Sequence, residues 1–275
     1  MFSQEGVSGC RSPLIAVMSE TCYKEPVAAF YDSLAVDYDS MTDFVNRFAR
    51  EKPIFETLLK KFPARNALDA GCGTGFHSVL MAKLGVDVTA VDVSGEMVRR
   101  AAEHAREAGV QMKTMRSAFE NLRDVLDERF DLVISLGNTL AHILNEEHMV
   151  KVLQAFRSFL NADGHLLLQL MNYDKILREK KGVQNTKNTA NKIFVRSYEY
   201  GEREISFSIL TQQVSGEPSP KKLQTVSLYP WRHEELARLI QQAGFKSVEL
   251  YGSLALQEFD AESSKDLVIL AQVPN

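Results

Sequence analysis

Hydrophobic residues recur at helical spacing through the first part of the chain. Between residues 25 and 62, Phe30, Leu34, Phe44 and Phe48 are separated by polar residues, as one apolar helix face requires. Pro53 predicts the start of a further helix, because proline is tolerated in a first helical turn. The segment therefore predicts a helical region in front of the rest of the fold.

The pattern changes after residue 65, where short apolar runs alternate with helical segments. Strands are predicted at 66–70, 86–91, 110–115, 131–136 and 165–170, and helices at 77–84, 96–108 and 146–160. Strand runs that are apolar almost throughout, alternating with helices, are typical of a parallel sheet covered on both faces.

This alternation ends after Asp174. Residues 178–192 are rich in Lys and Asn and predict a polar, mobile connector. Residues 193–214 and 223–228 alternate with the period of two that antiparallel strands have, around a turn through Gly216, Pro218 and Pro220. A helix at 233–243 and strands at 248–254 and 267–273 return to the α/β pattern.

Composition and charge exclude several classes of function. The 275 residues are 45% hydrophobic and 25% charged, which excludes wholesale disorder. The net charge of −4 makes nucleic acid an unfavourable partner, because phosphate binding needs surplus cations. No apolar run approaches the roughly 20 residues that span a membrane.

The cysteines and the amino terminus point to an intracellular protein without a structural metal. The chain has an odd number of cysteines, Cys10, Cys22 and Cys72, and their spacing is not that of metal ligands. Both observations argue against a disulfide framework and a zinc site. The apolar stretch 14–18 is too short for a secretory signal, so a cytoplasmic location is expected.

The most informative segment is Asp69-Ala70-Gly71-Cys72-Gly73-Thr74-Gly75, at the end of the first predicted parallel strand. Ligands of open α/β sheets bind at this edge, where glycines allow the backbone to approach them closely. In the dinucleotide-binding pattern GxGxxG the third glycine would fall at position 76, where this chain has Phe76, so a nicotinamide site is disfavoured. A P-loop is disfavoured as well, because the segment does not end in GK[ST].

Asp92 ends the second predicted strand, about 20 residues beyond the first glycine, where a carboxylate can bind the ribose hydroxyls of a nucleoside. The glycine segment followed by Val91-Asp92 resembles the first two motifs of class I S-adenosylmethionine-dependent methyltransferases. The resemblance implies S-adenosylmethionine as cofactor and S-adenosylhomocysteine as product.

Two later segments resemble the glycine and sarcosine N-methyltransferases and related small-molecule enzymes. These are Leu136-Gly137-Asn138-Thr139-Leu140-Ala141-His142 and Asn172-Tyr173-Asp174, together with Tyr229-Pro230. The resemblance implies that Asn138 and Tyr229 face the acceptor as catalytic residues. It implies that the cofactor is bound by Tyr38, Arg47, Asp69, Ala70, Gly71, Gly73, Asp92, Val93, Met97, Ala118, Phe119, Leu136 and His142.

One position departs from that group. Met171 stands where the glycine enzymes have an arginine that binds the substrate carboxylate. Because a guanidinium binds a carboxylate through two parallel hydrogen bonds, its loss favours a less anionic or more apolar acceptor. The alternative is that Arg196 or Arg203 replaces the missing charge.

The resemblance also defines the expected fold: an α/β, Rossmann-like doubly wound, mostly parallel seven-stranded sheet, with an N-terminal helical lid and an inserted antiparallel strand lid. The expected division is a flexible extension (1–24), the helical lid (25–62), the cofactor-binding core (63–174), the strand lid (175–230) and the rest of the core (231–275).

The predicted function is methyl transfer from S-adenosylmethionine to a small molecule, at nitrogen by preference, with no metal and no membrane partner. The alternatives are a non-catalytic protein that binds the cofactor, an O-methyltransferase or RNA methyltransferase, and a nicotinamide-dependent oxidoreductase. The sequence leaves the acceptor and the oligomeric state open.

Overall fold

The computed structural model describes residues 24–214 and 220–274. Its helices are α1 (Lys24–Thr42), α2 (Phe44–Lys61), α3 (Phe76–Lys83), α4 (Gly95–Ala108), α5 (Leu122–Val125), α6 (Glu146–Ser158), α7 (Tyr173–Glu179) and α8 (His233–Gln242). Its strands are β1 (Asn66–Ala70), β2 (Asp87–Asp92), β3 (Lys113–Arg116), β4 (Phe130–Ser135), β5 (Leu160–Met171), β6 (Val183–Asn188), β7 (Lys192–Tyr200), β8 (Ile205–Gln213), β9 (Lys222–Leu228), β10 (Ser247–Tyr251) and β11 (Asp266–Gln272). The predicted extension up to residue 23, with Cys10 and Cys22, lies outside the described residues, as do Gly216 and Pro218 of the predicted turn.

The larger sheet has seven strands in the order β10-β11-β5-β4-β1-β2-β3. Strands β1 to β5 pair in parallel, whereas β11 is antiparallel to both β5 and β10. The predicted α/β fold with a mostly parallel seven-stranded sheet is confirmed. Since the strand order reverses between β1 and β4, a crevice opens at their carboxyl ends, where α/β proteins bind ligands.

Successive side chains of β1 face opposite sides of the sheet, and each side has its own layer of the hydrophobic core. Leu68 and Ala70 pack with α6 and α8 on one face of the sheet, and Ala67 packs with α2 and α3 on the other. Burial of a large aliphatic or aromatic side chain contributes about 1.5–3 kcal/mol, and β1 is buried on both faces. The glycine segment therefore directly follows a strand that is buried on both faces.

A second sheet of four antiparallel strands, in the order β6-β7-β8-β9, is inserted between β5 and α8. Helix α1 packs on one face of it, where Phe30 and Leu34 join Phe194, Ile209 and Val226 in a small separate core. We call α1 together with β6–β9 the lid. The predicted antiparallel strands of the lid are confirmed.

The start of α2 differs from the prediction. Pro53 lies inside α2, and the break between α1 and α2 falls at Asp43, whose φ of 60° is left-handed. A proline in a helix interior removes a hydrogen bond and costs roughly 3 kcal/mol. Burial of Phe55 and Leu58 against the larger sheet offsets that cost, and it also attaches α2 to the core rather than to α1.

The predicted connector at 178–192 is also wrong, because α7 continues to Glu179 and β6 pairs along β7. Strand β6 lies at the edge of its sheet and is mostly exposed, so it needs no apolar face. Lysine and polar residues on an edge strand disfavour pairing with other chains, which is why its sequence looks like that of a loop. The long run at 193–214 is divided by a turn in which the Gly201 amide donates to the Glu204 carbonyl at 2.9 Å.

Candidate functional site

A cavity that opens to solvent lies between the carboxyl edge of the seven-stranded sheet and the lid. Concave sites of this kind, with apolar walls and a few converging polar groups, are where proteins bind small molecules. Eleven of the predicted site residues line it, namely Tyr38, Arg47, Asp69, Gly71, Gly73, Asp92, Val93, Ala118, Phe119, Leu136 and His142. The structure thus brings together residues from the loops after β1, β2, β3 and β4 and from both N-terminal helices.

The loop after β1 is bound to the neighbouring strand through its backbone. The amides of Gly71 and Cys72 both donate to the Val91 carbonyl, at 2.8 and 3.0 Å. Gly71 has a φ of 82°, and a Cβ built there would lie 2.3 Å from Cγ2 of Thr139, so this position requires glycine. The loops after β1 and β4 therefore meet in direct contact at the bottom of the cavity.

Asp92 holds the same loop and also faces the cavity. Its Oδ2 accepts a hydrogen bond from the Gly73 amide and its Oδ1 accepts one from the Ser94 amide, each at 2.9 Å. Burial raises the pKa of Asp92 to about 6, although these two amides act in the opposite direction. The group is therefore ionised at neutral pH, and each oxygen retains a lone pair that can accept a hydroxyl donor.

Opposite the glycine loop, Arg47 belongs to a charged cluster. Its Nε donates to Glu51 at 2.8 Å, and the Nε2 of His77 lies 3.1 Å from the other oxygen of Glu51. Burial alone would raise the pKa of Glu51, but hydrogen bonds with His77 and Arg47 lower it to about 2. The guanidinium also lies 4.0 Å above the ring of Phe76. Sequence analysis missed Glu51 and His77, because only the packing of α2 against α3 brings them together.

Tyr31 and His142 make a link across the cavity from the lid to the core. The Tyr31 hydroxyl lies 2.8 Å from Nε2 of His142, and both residues line the cavity. Burial raises the pKa of Tyr31 well above its ordinary value and lowers the pKa of His142 to about 4. Both groups are therefore neutral at physiological pH and can orient a ligand without carrying charge.

The lid is also tied to the core by carboxylates of α1. Asp32 accepts hydrogen bonds from the Ser94 hydroxyl and from the Glu96 amide at the start of α4. Asp39 lies 3.1 Å from Nε2 of His104, whose Nδ1 donates to the Thr74 carbonyl at 2.7 Å. Hydrogen bonding to Asp39 raises the pKa of His104, although partial burial opposes this. These contacts hold α1 over the glycine loop.

The two predicted catalytic residues do not line the cavity. The side chain of Asn138 donates to the Tyr173 hydroxyl at 2.9 Å and accepts from the Met171 amide at 3.0 Å, so it joins the loop after β4 to the end of β5. The Tyr229 hydroxyl donates to Glu235 at 3.1 Å, which directs this side chain towards α8. Neighbouring elements engage the polar groups of Asn138 and Tyr229, so the structure does not bring these two residues together with the eleven that line the cavity. Their role towards the acceptor stays a prediction.

Ala70 and Met97 are also absent from the wall of the cavity, because their side chains are fully buried in the core. Met97 contributes its amide to the cap of α4, where it donates to the Ser94 hydroxyl at 3.1 Å. Along residues 24–214 and 220–274, no cluster of three or more metal-ligating side chains is found, and no helix combines the length and apolarity needed to cross a membrane.

Comparison with known proteins places these features in a family. Residues 67–164 match the family model described as a methyltransferase domain. The chain is 31% identical to a glycine/sarcosine N-methyltransferase of Halorhodospira halochloris over 241 residues, covering 85% of each chain. It is 30% identical to one of Aphanothece halophytica, covering 81% of this chain and 82% of that relative.

A similar fold is seen in a S-adenosylmethionine-dependent methyltransferase from Clostridium acetobutylicum. The two structures superpose with a TM-score of 0.76 at 15% identity, over 89% of this chain and 99% of that one. At this identity the likeness concerns the fold alone. It extends over most of the chain.

Proposed function

Since the chain belongs to the S-adenosylmethionine-dependent methyltransferases, in the group of the glycine/sarcosine N-methyltransferases, we propose that it methylates an amine nitrogen of a small molecule held in this cavity. The observation that carries the proposal is the cavity itself. One side of it has the glycine loop and Asp92, and the other side is closed by a separate lid.

The residues of the core side fit the proposed use of S-adenosylmethionine. Asp92 would accept hydrogen bonds from the ribose hydroxyls, and Gly73 leaves room for a ligand, since only the Tyr38 ring lies within 4 Å of a Cβ built there. Ser117, Ala118 and Phe119 would flank the adenine. When bound, the cofactor supplies an electrophilic methyl group on its sulfonium sulfur.

The remaining wall of the cavity would hold the acceptor. Thr139 and the Tyr31–His142 pair offer neutral hydrogen-bonding groups there, beneath the lid. Alignment of two reactants in such a site can supply about 7–11 kcal/mol of the barrier. A protonated amine has no lone pair, so the acceptor would have to lose its proton before it reacts. Since burial lowers the pKa of His142 to about 4, this imidazole is a poor base, and the amine would lose its proton to water before it binds.

Calorimetry and a turnover assay test this proposal. The purified chain is titrated with S-adenosylhomocysteine, and methyl transfer is then measured with a panel of small primary and secondary amines. We expect nucleoside binding, turnover of at least one amine, and a kcat/KM that rises with pH up to the pKa of that amine. Binding without turnover of any amine would favour a non-catalytic protein or another acceptor atom. Failure to bind the nucleoside would overturn the proposal entirely.

A further inference from the structure

One face of α4 packs directly against the glycine loop. A Cβ built at Gly75 would lie 2.8 Å from the Cβ of Ala101, which shows how closely the loop and this helix approach each other. His104 follows Ala101 by three residues and therefore shares its face of the helix. Its Nδ1 lies 2.7 Å from the Thr74 carbonyl. Since Thr74 lines the cavity, one hydrogen bond joins His104 to the wall that would hold the nucleoside.

The other ring nitrogen of His104 contacts the lid. Its Nε2 lies 3.1 Å from Oδ2 of Asp39 on α1, and both side chains are mostly buried, with 13% and 22% exposed. Among the residues that the structure describes, no group donates a hydrogen bond to the buried Oδ1 of the same carboxylate. The imidazole of His104 therefore connects α1 to the glycine loop, and the Asp39 carboxylate depends on it for a hydrogen bond.

Both contacts can exist together only when His104 is doubly protonated. A carbonyl and a carboxylate accept hydrogen bonds but donate none, so each ring nitrogen must carry a proton. The proton between His104 and Asp39 lies on the histidine, because the ordinary pKa of histidine is well above that of aspartate. Hydrogen bonding to Asp39 accordingly raises the pKa of His104, although partial burial opposes this rise.

The other groups around the ring are compatible with this charged form. The ring of Phe44, at the start of α2, lies 4.2 Å from that of His104 between centroids, and aromatic rings attract cations. On α4 itself, the charge of Glu107 also raises the pKa of His104. Two nearby cations are directed elsewhere, since Arg100 donates to a backbone carbonyl of α1 at 3.5 Å and Lys83 of α3 donates to the last carbonyl of α4 at 3.0 Å.

We propose that His104 is a positioning residue which, in its doubly protonated form, fastens α1 to the glycine loop and so retains the nucleoside in the cavity. The proposal rests on the nucleoside cofactor of the proposed function and not on the acceptor. This contact differs from the ion pair between Lys192 and Asp37, which joins two parts of the lid, because it ends on the glycine loop itself. Loss of the proton from Nε2 leaves a lone pair facing the Asp39 carboxylate, which weakens the attachment of α1.

His104 and Asp92 act on opposite sides of neutral pH. Since the pKa of His104 is raised, its contact with Asp39 is fully present below the ordinary histidine value of about 6.5 and is lost as the pH rises through the raised value. Asp92 is protonated below about pH 6. Nucleoside affinity should therefore fall on the alkaline side through His104 and on the acidic side through Asp92.

Calorimetric titration with S-adenosylhomocysteine between about pH 6.5 and pH 9.5 tests the proposal on the wild type, D39N, H104F and D37N. In D39N the new amide can donate a hydrogen bond to a neutral Nε2, so the attachment survives without the additional proton. H104F keeps a ring and removes both hydrogen bonds. D37N is the matched control, because it makes the same change on the same helix at a contact with Lys192 rather than with α4. Ratios between variants at each pH cancel the titration of the ligand itself.

We expect the dissociation constant of the wild type to rise about three- to tenfold across this range, as the loss of one partly exposed hydrogen bond between charged groups predicts. D37N should follow the wild type. D39N should change by less than about twofold, and H104F should bind at every pH as weakly as the wild type does at alkaline pH. The thermal midpoint of each variant establishes that it is folded, and D39N decides the outcome if H104F is not.

NMR of the imidazole nitrogens, assigned by comparison with H104F, observes the proton directly in the absence of nucleoside. We expect both nitrogens of His104 to be protonated at pH 7 in the wild type, and the pKa of His104 to be lower in D39N. A neutral His104 at pH 7, or an equal pH dependence of affinity in D39N and the wild type, would overturn the role of His104 while leaving the methyltransferase intact. Failure of the nucleoside to bind at any pH would instead overturn the proposed function, and this role with it.

Discussion

On the core side of the cavity, backbone amides hold the functional groups in place, whereas on the lid side long side chains do so. The carboxylate of Asp92 is fixed by the amides of Gly73 and Ser94, and the loop after β1 is bound to β2 by two further amides. The lid contributes the side chains of Tyr31 and Tyr38 from α1, which packs on a separate sheet.

This difference suggests a division of tasks. A site made from backbone geometry tolerates little change, because any shift displaces several donors at once. Side chains on a separate layer can be exchanged without disturbing the strands that carry the glycine loop. We therefore expect changes on the core side to abolish nucleoside binding or stability, and changes on the lid side to alter the choice of acceptor.

The largest expected effect is at Asp92. D92N removes the charge that would accept the ribose hydroxyls, and we expect the affinity for S-adenosylhomocysteine to fall by at least about 100-fold, since two charge-assisted hydrogen bonds are weakened. In the wild type, the raised pKa means that Asp92 is ionised above about pH 6 and protonated below it. The affinity should therefore be lost as the pH falls through 6, and calorimetry should find no such pH dependence in D92N.

Asp131 provides the matched control for that variant. It also accepts a backbone hydrogen bond, from the Arg65 amide at 2.9 Å. However, it lies at the amino end of β4, whereas the cavity is at the carboxyl ends of the strands. D131N should lower the thermal midpoint without changing nucleoside affinity. Equal losses of affinity in D92N and D131N would mean that Asp92 acts only through the stability of the sheet.

A smaller effect, on stability, is expected from two glycines of the core side. Gly71 and Gly137 both have a positive φ, which costs an alanine roughly 1–2 kcal/mol. A Cβ at Gly71 would also meet Thr139 at 2.3 Å, whereas nothing lies within 4 Å of one at Gly137. We expect G71A to lose about 1–3 kcal/mol more than G137A, because overpacking adds to the strain. Denaturant unfolding of the two variants measures the difference, and equal losses would contradict the close contact between the two loops.

The smallest expected effect is at the ion pair between Lys192 and Asp37, which joins β7 to α1. Both side chains are partly exposed, at 32% and 23%, so the pair should contribute no more than about 1 kcal/mol. K192M and D37N should each raise the KM for the acceptor a few-fold and leave nucleoside affinity unchanged. A double-mutant cycle on KM tests whether the effects are coupled. A change in nucleoside affinity alone would show that this contact belongs to the cofactor side.

The sequence predicted the core side well because its signals are local. The glycine segment, the acid at the end of β2 and the apolar strands are each contained in a few consecutive residues, and the topology of parallel sheets brings strand ends together. The lid was predicted less well. The edge strand β6 has a polar sequence, and only its pairing with β7 explains why it forms a strand. Likewise, the sequence around Pro53 does not reveal that the burial of neighbouring residues keeps this proline inside α2.

The side-chain directions were the hardest part to predict. Asn138 and Tyr229 lie near the predicted edge, but neither lines the cavity, since Tyr173, Met171 and Glu235 engage their polar atoms. The two partners of Asn138 belong to a distant part of the chain, so the sequence around Asn138 contains no sign of them. Glu235 follows Tyr229 closely, but their contact depends on where α8 begins. The role of both residues towards the acceptor stays a prediction.

By itself, the sequence determined the larger sheet, the glycine loop and the acid beside it, because turn geometry and strand burial depend on neighbouring residues. Only the tertiary structure decided which groups meet across the cavity. Tyr31 and His142 are 111 residues apart in the chain, and their contact requires α1 to pack over the loop after β4.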